Sequence, residues 1–226
     1  MFKTELHIHT YPASECAKTE PEAMVEDFIK NGYSTIVITN HMSPTLFSSV
    51  APNVSYEEAA EVFLNDYRRA LSAARGRINV LLGMELRVNK NSNDYLVYGI
   101  TEDFIMNLGN IMHLTIKEIT NLIHDSGALI YQAHPFRDGM TVTNPKYLDG
   151  IEAINFCTTH NSRNDVAQFW AKRFDMNTIY GQDYHSEKYM QGAGILTDTE
   201  IKTNAELVKI LKNMDFKVTD GKEVIL

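Results

Sequence analysis

The chain of 226 residues lacks the features of a membrane or secreted protein. No apolar run approaches the ~18 residues that a membrane-spanning helix needs. The amino terminus, Met-Phe-Lys-Thr-Glu, has no basic segment followed by an apolar one, as a secretory signal would. The only cysteines, Cys16 and Cys157, are far apart and form no Cys-x-x-Cys motif. We therefore predict a cytoplasmic protein without a membrane partner, with reduced thiols and with Cys16 as a small, semi-buried residue rather than a metal ligand.

Basic side chains are also outnumbered by acidic ones. The chain has 29 acidic and 21 basic side chains, a formal net charge of −8. Because proteins hold long nucleic acids largely by neutralising phosphates with Lys and Arg, this balance predicts no long nucleic-acid partner. A small phosphorylated substrate, held by metal ions and a few arginines, is compatible with it. The composition, 44% hydrophobic and 22% charged, is typical of a globular domain with one sizeable core.

Apolar runs alternate with amphipathic segments along most of the chain. The runs predict seven strands, at residues 3–10, 34–39, 79–88, 94–100, 128–133, 150–156 and 178–181. Capping boxes at Thr19, Ser55 and Thr115 open helices between them. This alternation predicts an α/β fold with parallel strands and outer helices, and we expect it to close as a TIM-like (β/α)7 barrel. We expect residues 1–226 to form one domain, which residues 187–226 complete with a strand, a helix and a hairpin.

The motif His7-Ile8-His9 ends the first predicted strand. Side chains alternate along a strand, so both imidazoles face one side while Leu6 and Ile8 face the other. Neutral imidazole is the commonest protein ligand for transition metals, and two on one face can grip one ion. Taken alone, however, a His-x-His pair is more typical of a strand edge that faces water.

Side chains that can bind a metal ion lie at or just after the ends of most of the predicted strands, including the first. They are His7, His9, Glu15 in the loop after strand one, His41, Glu85, His134, Asp183 and His185. The carboxyl ends of barrel strands converge on one mouth, where barrel enzymes build their active sites. Eight such side chains exceed what one four-coordinate ion uses, so they favour two or three divalent ions bridged by a carboxylate. Mixed imidazole and carboxylate ligands suit Zn, Fe or Mn.

The remaining histidines and two arginines depart from this pattern. His124 lies near a helix end, where it suits the helix dipole, and His113 precedes a helix, so both are expected to be structural or exposed. His160, four residues after strand six, is left open. Arg87 shares the strand face of Glu85, and Arg137 follows His134-Pro135. Both are candidates for bidentate phosphate contacts, with surface salt bridges as the alternative.

Five short segments in order resemble the successive motifs of the PHP (polymerase and histidinol phosphatase) family. They are His7-Ile8-His9-Thr10, Thr39-Asn40-His41, Gly83-Met84-Glu85, Ala133-His134-Pro135 and Gly181-Gln182-Asp183-Tyr184-His185, within residues 3–186. The resemblance implies a distorted seven-stranded barrel with a three-metal site for phosphoester hydrolysis. It implies three ligand sets: His7, His9, Glu85 and Asp183 for the first metal, Glu15, His41 and His185 for the second, and Glu85 with His134 for the third.

Two positions depart from the family pattern. Asn40 stands where the family usually has Asp, which we expect to affect the groups that orient His41. Residues 94–103 contain no histidine to complete the third metal site, for which His113 is a distant candidate.

We therefore expect a metal-dependent phosphomonoesterase that uses a metal-activated hydroxide to hydrolyse a small phosphorylated metabolite or nucleotide. Asp183 and Glu85 would set the charge of the metals and orient the hydroxide, and Arg87 and Arg137 would contact the phosphate. One alternative is an amidohydrolase-like enzyme that cleaves C–N or C–O bonds, since those barrels also begin with His-x-His. The other is a metal-binding interaction domain that has lost turnover, suggested by Asn40 and the missing histidine.

Overall fold

The computed structural model describes residues 1–89 and 91–226, and each of the seven predicted strand segments overlaps an observed strand. The strands are β1 (Phe2–Ile8), β2 (Thr35–Ile38), β3 (His41–Met42), β4 (Asn79–Arg87), β5 (Asp94–Tyr98), β6 (Leu129–Gln132), β7 (Gly150–Asn155), β8 (Asn177–Gly181), β9 (Gly194–Thr197) and β10 (Lys217–Thr219). The helices are α1 (Pro21–Lys30), α2 (Tyr56–Ala74), α3 (Glu102–Asn107), α4 (Ile116–Asp125), α5 (Asn164–Arg173) and α6 (Asn204–Asn213). None of these helices is long and apolar enough to cross a membrane.

The strands form one sheet that nearly closes on itself. Their order is β10-β9-β1-β2-β4-β5-β6-β7-β8, with β3 paired to β4. The backbone N–H of His9 donates to the carbonyl of Tyr184 at 2.8 Å, and the N–H of Tyr184 donates to the carbonyl of His7 at 2.9 Å. The chain just after β8 is thus hydrogen-bonded to the end of β1. This confirms the expected TIM-like α/β barrel.

The expectation of parallel strands throughout is wrong. β5 runs antiparallel to both β4 and β6, and β9 runs antiparallel to β1. The connection from β4 to β5, residues 88–93, explains the first reversal, because a parallel pair needs a crossover of about a dozen residues or more. The resulting register pairs Arg87 at the end of β4 with Asp94 at the start of β5.

Two of the three predicted capping boxes form. Ser55 and Thr115 accept hydrogen bonds from the third residue of α2 and of α4, and Glu58 and Glu118 return them. The box predicted at Thr19 is wrong. Helix α1 begins at Pro21, so the capping position falls on Glu20, whose side chain makes no capping bond.

Gly181, the last residue of β8, shows how closely the barrel packs at its seam. A β carbon built there would lie 2.6 Å from Cβ of His7 and 3.1 Å from Oε1 of both Glu5 and Glu152. Real β carbons do not approach other carbons that closely, so a side chain at this position would displace His7. The absence of a side chain here therefore helps to place the first histidine of the motif.

We predict that Gly181→Ala lowers the free energy of unfolding by roughly 1–3 kcal/mol, because the added methyl group overpacks the seam beside His7. Denaturant unfolding measures this change. Ser72→Ala, on the exposed face of α2, is the control and should stay within about 0.5 kcal/mol of the parent chain. Equal stability of the two variants would contradict the close packing of β8 on β1.

Candidate metal centre

The end of β1 delivers His7 and His9 to the barrel interior, as the alternation of side chains predicts. Both imidazoles are fully buried, and their Nε2 atoms lie 3.1 Å apart. Leu6 and Ile8 point the other way and pack into two separate apolar clusters. The two rings therefore face one small volume.

Glu85 from β4 and Asp183 from the turn after β8 reach the same volume. Oδ1 of Asp183 lies 3.4 Å from Nε2 of His7 and 3.3 Å from Nε2 of His9. Oε1 of Glu85 lies 3.3 Å from Nε2 of His7, and Oε2 lies 3.2 Å from Nε2 of His9. Four ligands at ~2.0–2.1 Å from a tetrahedral ion are about 3.3 Å apart. The four side chains thus have the spacing of one coordination shell.

Hydrogen bonds at Nδ1 of His7 and of His9 fix which nitrogen of each imidazole faces this volume. Nδ1 of His7 lies 2.9 Å from Oε1 of Glu152 on β7, and Nδ1 of His9 lies 3.3 Å from Oγ of Ser14. The Ser14 hydroxyl in turn donates to Oδ1 of Asn40 at 2.9 Å. Donation from both Nδ1 atoms leaves the Nε2 lone pairs for a metal. Ser14 also accepts a hydrogen bond of 2.9 Å from the backbone N–H of His41, so Asn40 is linked through Ser14 to both His9 and His41.

A second group of donors lies on the outer side of His9. His41 approaches Glu85, with Nδ1 3.0 Å from Oε2, and His185 lies 3.2 Å from Cys16, measured from Nε2 to Sγ. The ligand atoms of His9, Cys16 and His41 all lie within 4.8 Å of one another. The expectation that Cys16 is semi-buried is wrong, because the residue is exposed. Its thiol faces His41 and His185, two of the histidines predicted for the second metal.

Glu15 was the carboxylate predicted for this second set. It is exposed and lines a cleft of about 190 Å³ together with Cys16, His41 and Arg87. The apolar wall of this cleft is formed by Leu46 and Val50. The cleft opens directly onto the second group of donors.

His134 follows β6 on the far side of Glu85, with Nε2 3.2 Å from Oε1. Its neighbour there is Asp94, whose Oδ2 lies 3.9 Å from the same nitrogen. Asp94 also pairs with Arg87 and Arg137, so both predicted arginines lie beside the site. His113, the distant candidate for a third-metal ligand, is exposed in a turn. The residues gathered next to Glu85 and His134 are thus an acid and two guanidinium groups.

Of the two histidines His160 and His124, one lies beside the metal-binding residues and the other has a structural role. His160, which the sequence left open, faces the site: its Nε2 lies 3.1 Å from Oδ2 of Asp183, and its Nδ1 bonds to Ser162. His124 lies in the last turn of α4 and pairs with Asp149, the structural role that its position indicated.

The electrostatics of the site favour positive charge at its centre. Burial opposes ionisation of His7, yet Asp183, Glu152 and Glu85 raise its pKa well above the ordinary value. Burial lowers the pKa of His41 to about 3, so this ring is neutral and has a lone pair to share. The convergence of carboxylates that attracts a proton to His7 would equally attract a metal ion.

Two further observations fit a metal centre. Within the described chain, three buried atoms make no hydrogen bond: Nδ1 of His41, Nδ1 of His134 and Oε1 of Glu85. Nδ1 of His41 and Oε1 of Glu85 do lie within 3.3 Å of ionisable neighbours, but in contacts that lack hydrogen-bond geometry. Unsatisfied buried polar atoms are uncommon and often mark an ion site. In addition, His134 and Asp183 have φ angles of +26° and +49°, a conformation that costs non-glycine residues energy and tends to persist at functional sites. The residues present therefore fit divalent ions.

Comparison with known proteins places this geometry in a family. The PHP domain model matches residues 5–160. A two-domain protein from Bacteroides vulgatus ATCC 8482, which contains a predicted PHP-like metal-dependent phosphoesterase, superposes with a TM-score of 0.68 at 14% identity, covering 96% of this chain and 64% of that one. A putative metal-dependent phosphoesterase from Bifidobacterium adolescentis ATCC 15703 gives 0.54 at 14% identity, covering 93% and 96%. No curated protein sequence matches the chain.

A third solved structure corrects one expectation. Endonuclease Q, in complex with a 27-mer duplex substrate that has an abasic lesion at the active site, superposes with a TM-score of 0.64 at 13% identity. The match covers 94% of this chain and 56% of that protein. Excluding a long nucleic-acid partner from net charge was therefore wrong, because the same fold acts on duplex DNA in a protein of this structural group.

At such low identities the structural likenesses show a shared fold. The family match is the stronger finding, because it spans well over half of the sequence. It includes four of the five motif segments and ends before the segment that contains Asp183. The chain belongs to the PHP domain family.

Proposed function

We propose that the chain hydrolyses phosphate monoesters with the help of divalent metal ions bound at its barrel mouth. The observation that carries the proposal is the convergence of His7, His9, Glu85 and Asp183 at the spacing of one coordination shell. A second donor group, with His41 and His185, lies next to it and shares Glu85 and His9. Zn, Fe and Mn suit such ligands.

Metal ions bound here would lower the pKa of a water molecule and neutralise the phosphoryl oxygens. The contribution of the protein is to hold the metal-binding atoms in fixed positions and orientations. Glu152 and Ser14 fix the ring orientations of His7 and His9, and Asn155 donates to Oδ2 of Asp183 at 3.3 Å. Asp183 therefore presents Oδ1 to the first donor group, where it would orient the nucleophile.

Three donors are proposed for the second ion: His41, His185 and either Glu15 or Cys16. Contacts favour Cys16, because its sulfur is 3.2 Å from Nε2 of His185. Cys16 also belongs to a close group with His9 and His41. A thiolate ligand would favour Zn or Fe over Mn at this position.

The cleft beside His41 supports a small substrate. Its volume of about 190 Å³ is below the ~300–1,000 Å³ usual for pockets that enclose drug-sized ligands. Leu46 and Val50 offer an apolar wall, and Ser43 and Thr45 offer hydroxyl groups. We propose a phosphorylated metabolite or a nucleotide as the substrate class.

Cleavage of a phosphodiester in nucleic acid is the second candidate, since Endonuclease Q shares the fold. The same metal groups would serve either ester, because both reactions displace an oxygen from phosphorus. A substrate panel separates the candidates. It contains p-nitrophenyl phosphate, nucleoside monophosphates and bisphosphates, sugar phosphates, duplex DNA with and without an abasic site, and lactones and amides for C–O and C–N hydrolysis.

The first prediction from this proposal concerns His41→Ala and Asp183→Ala. Each should reduce bound metal and lower p-nitrophenyl phosphate turnover by more than the roughly 10–100-fold typical of residues that only support a ligand. Metal analysis and initial rates measure the two effects, and His124→Ala is the matched histidine control. Undiminished turnover in both variants would exclude the proposed role of these residues. Full metal content without turnover on any ester would favour an interaction domain.

A second prediction decides between Cys16 and Glu15. Cys16→Ser should weaken binding of the second metal and abolish the thiolate-to-metal absorption of the cobalt-substituted protein, because the sulfur ligand is lost. Glu15→Gln, one residue away and exposed, should leave both unchanged. The reverse result would restore Glu15 as the ligand.

A third prediction concerns Glu152, which supports His7 without entering the first donor group. Glu152→Gln keeps the size of the side chain but weakens its hydrogen bond to Nδ1 of His7. Metal affinity, measured by competition with a chelator, should fall roughly 10–100-fold. Glu187→Gln, on the surface, is the control and should have no effect. Unchanged affinity in Glu152→Gln would show that the ring of His7 is held by other contacts.

A further inference from the structure

Arg87, Asp94 and Arg137 form a charged cluster beside the metal centre. Asp94 is fully buried at the start of β5 and lies opposite Arg87 in the β4–β5 register. Nε and Nη2 of Arg87 donate to the two carboxylate oxygens, each at 2.6 Å, and Nη2 of Arg137 donates to Oδ2 at 3.2 Å. One buried carboxylate thus fixes two guanidinium groups, which we call the arginine pair.

The arginine pair lies where the family resemblance implied a third metal. Oδ2 of Asp94 is 3.9 Å from Nε2 of His134, and that nitrogen is 3.2 Å from Oε1 of Glu85. Glu85 and His134 were the two ligands implied for this ion. The strand that should supply another ligand supplies Asp94 instead.

His134 forms a close donor group with His7 and Asp183 on one side, but on its other side the side chains around Asp94 do not fit a third divalent ion. Both oxygens of Asp94 are already bound to guanidinium groups, and Arg87 is held by two short charge-assisted bonds. An ion between Glu85 and His134 would lie beside two fixed positive charges, which repel it strongly in a site of low dielectric constant. The local charge is thus supplied by arginine rather than by metal.

We propose that the arginine pair, oriented by Asp94, is a binding subsite for the phosphoryl oxygens of the substrate and takes the place of the third ion. Two guanidinium groups against one carboxylate leave a net positive charge for a phosphate dianion. Arg87 uses two of its nitrogens on Asp94, which leaves Nη1 as a donor toward a ligand. The side chains of Arg87 and Arg137 are 37% and 26% exposed, so a ligand can reach them.

The position of Arg87 ties this subsite to the cleft. Arg87 lines the cleft together with His41 and Cys16, so one ligand can contact the arginine and the second donor group at once. The proposal rests on the proposed function for the identity of the ligand as a phosphate ester. A cluster that only braced β4 against β5 would affect folding and leave phosphate affinity unchanged.

The test has two parts. The metal ions per chain are counted, and the binding of inorganic phosphate to the metal-loaded chain is measured by calorimetry. Arg87→Gln and Arg137→Gln should each weaken phosphate binding roughly 10–100-fold, the usual effect of losing a charge-assisted hydrogen bond. Asp94→Asn should weaken it as well, because the arginine pair is no longer fixed. Arg68→Gln removes a surface arginine that is also paired with two carboxylates and should change nothing. Arg137 makes only the longer bond of 3.2 Å to Asp94, so its variant leaves the two 2.6 Å bonds of Arg87 in place.

Metal analysis supplies the independent readout. About two ions per chain are expected in the parent protein and in Asp94→Asn alike, because the first donor group and the second, which shares Glu85 with it, would each hold one ion. A third ion in the parent chain that is lost in Asp94→Asn would overturn the proposal, as would unchanged phosphate affinity in both arginine variants. If phosphate binding depends on the arginine pair while no phosphate ester is hydrolysed, the proposed function fails and the subsite stands.

Discussion

The shared carboxylate of Glu85 is the contact on which the arrangement of the site depends. Its oxygens lie within 3.3 Å of ring nitrogens of four histidines, His7, His9, His41 and His134. Burial alone would raise the pKa of Glu85, but the surrounding histidine rings, including the protonated ring of His7, lower it well below its ordinary value. A carboxylate this deeply buried is tolerated only when positive or polar partners surround it. Glu85 on β4 therefore fixes the positions of the histidines on three other segments of the barrel: the end of β1, β3 and the residues after β6.

The barrel meets this requirement through strand register and direction. β3 pairs with β4 so that His41 stands opposite Glu85, and the missing side chain of Gly181 lets β8 approach His7. The reversal of β5 matters most for the chemistry. In an antiparallel strand the first residue, not the last, lies at the mouth where the parallel strands end. Asp94 thus reaches the site from the beginning of its strand.

These two features show what could be predicted from the sequence. Alternation along β1 was sufficient to place His7 and His9 on one face, and recurrence at strand ends was sufficient to bring Glu85, His134 and Asp183 near them. Residues 94–103 contain no histidine, but because β5 is antiparallel the residue of this segment that reaches the mouth is Asp94, at its start. The six-residue connection from β4 to β5 is the sequence signal for this reversal, because it is too short for a parallel crossover.

Other contacts had no comparable signal. Glu152 lies in the middle of β7, a strand buried on both faces, so its sequence does not reveal which side chains face the mouth. Cys16 and Glu15 are neighbours in a loop, and only the loop's conformation decides that the thiol faces His185. Side chains that support a ligand are generally harder to find than ligands, because their positions follow from tertiary packing rather than from a repeating pattern.

Net charge was misleading for a related reason. Of the 29 acidic side chains, six within the described residues are almost completely buried and face histidines, arginines or backbone donors: Glu5, Asp66, Glu85, Asp94, Glu152 and Asp183. They contribute to the total of −8 but have opposing partners within the protein, so they repel a surface anion less than the total suggests. In the proposed function, an anionic substrate would meet the local field of metal ions, Arg87 and Arg137 at the mouth. The cleft and these local charges, rather than the overall acidity of the chain, would then select the substrate.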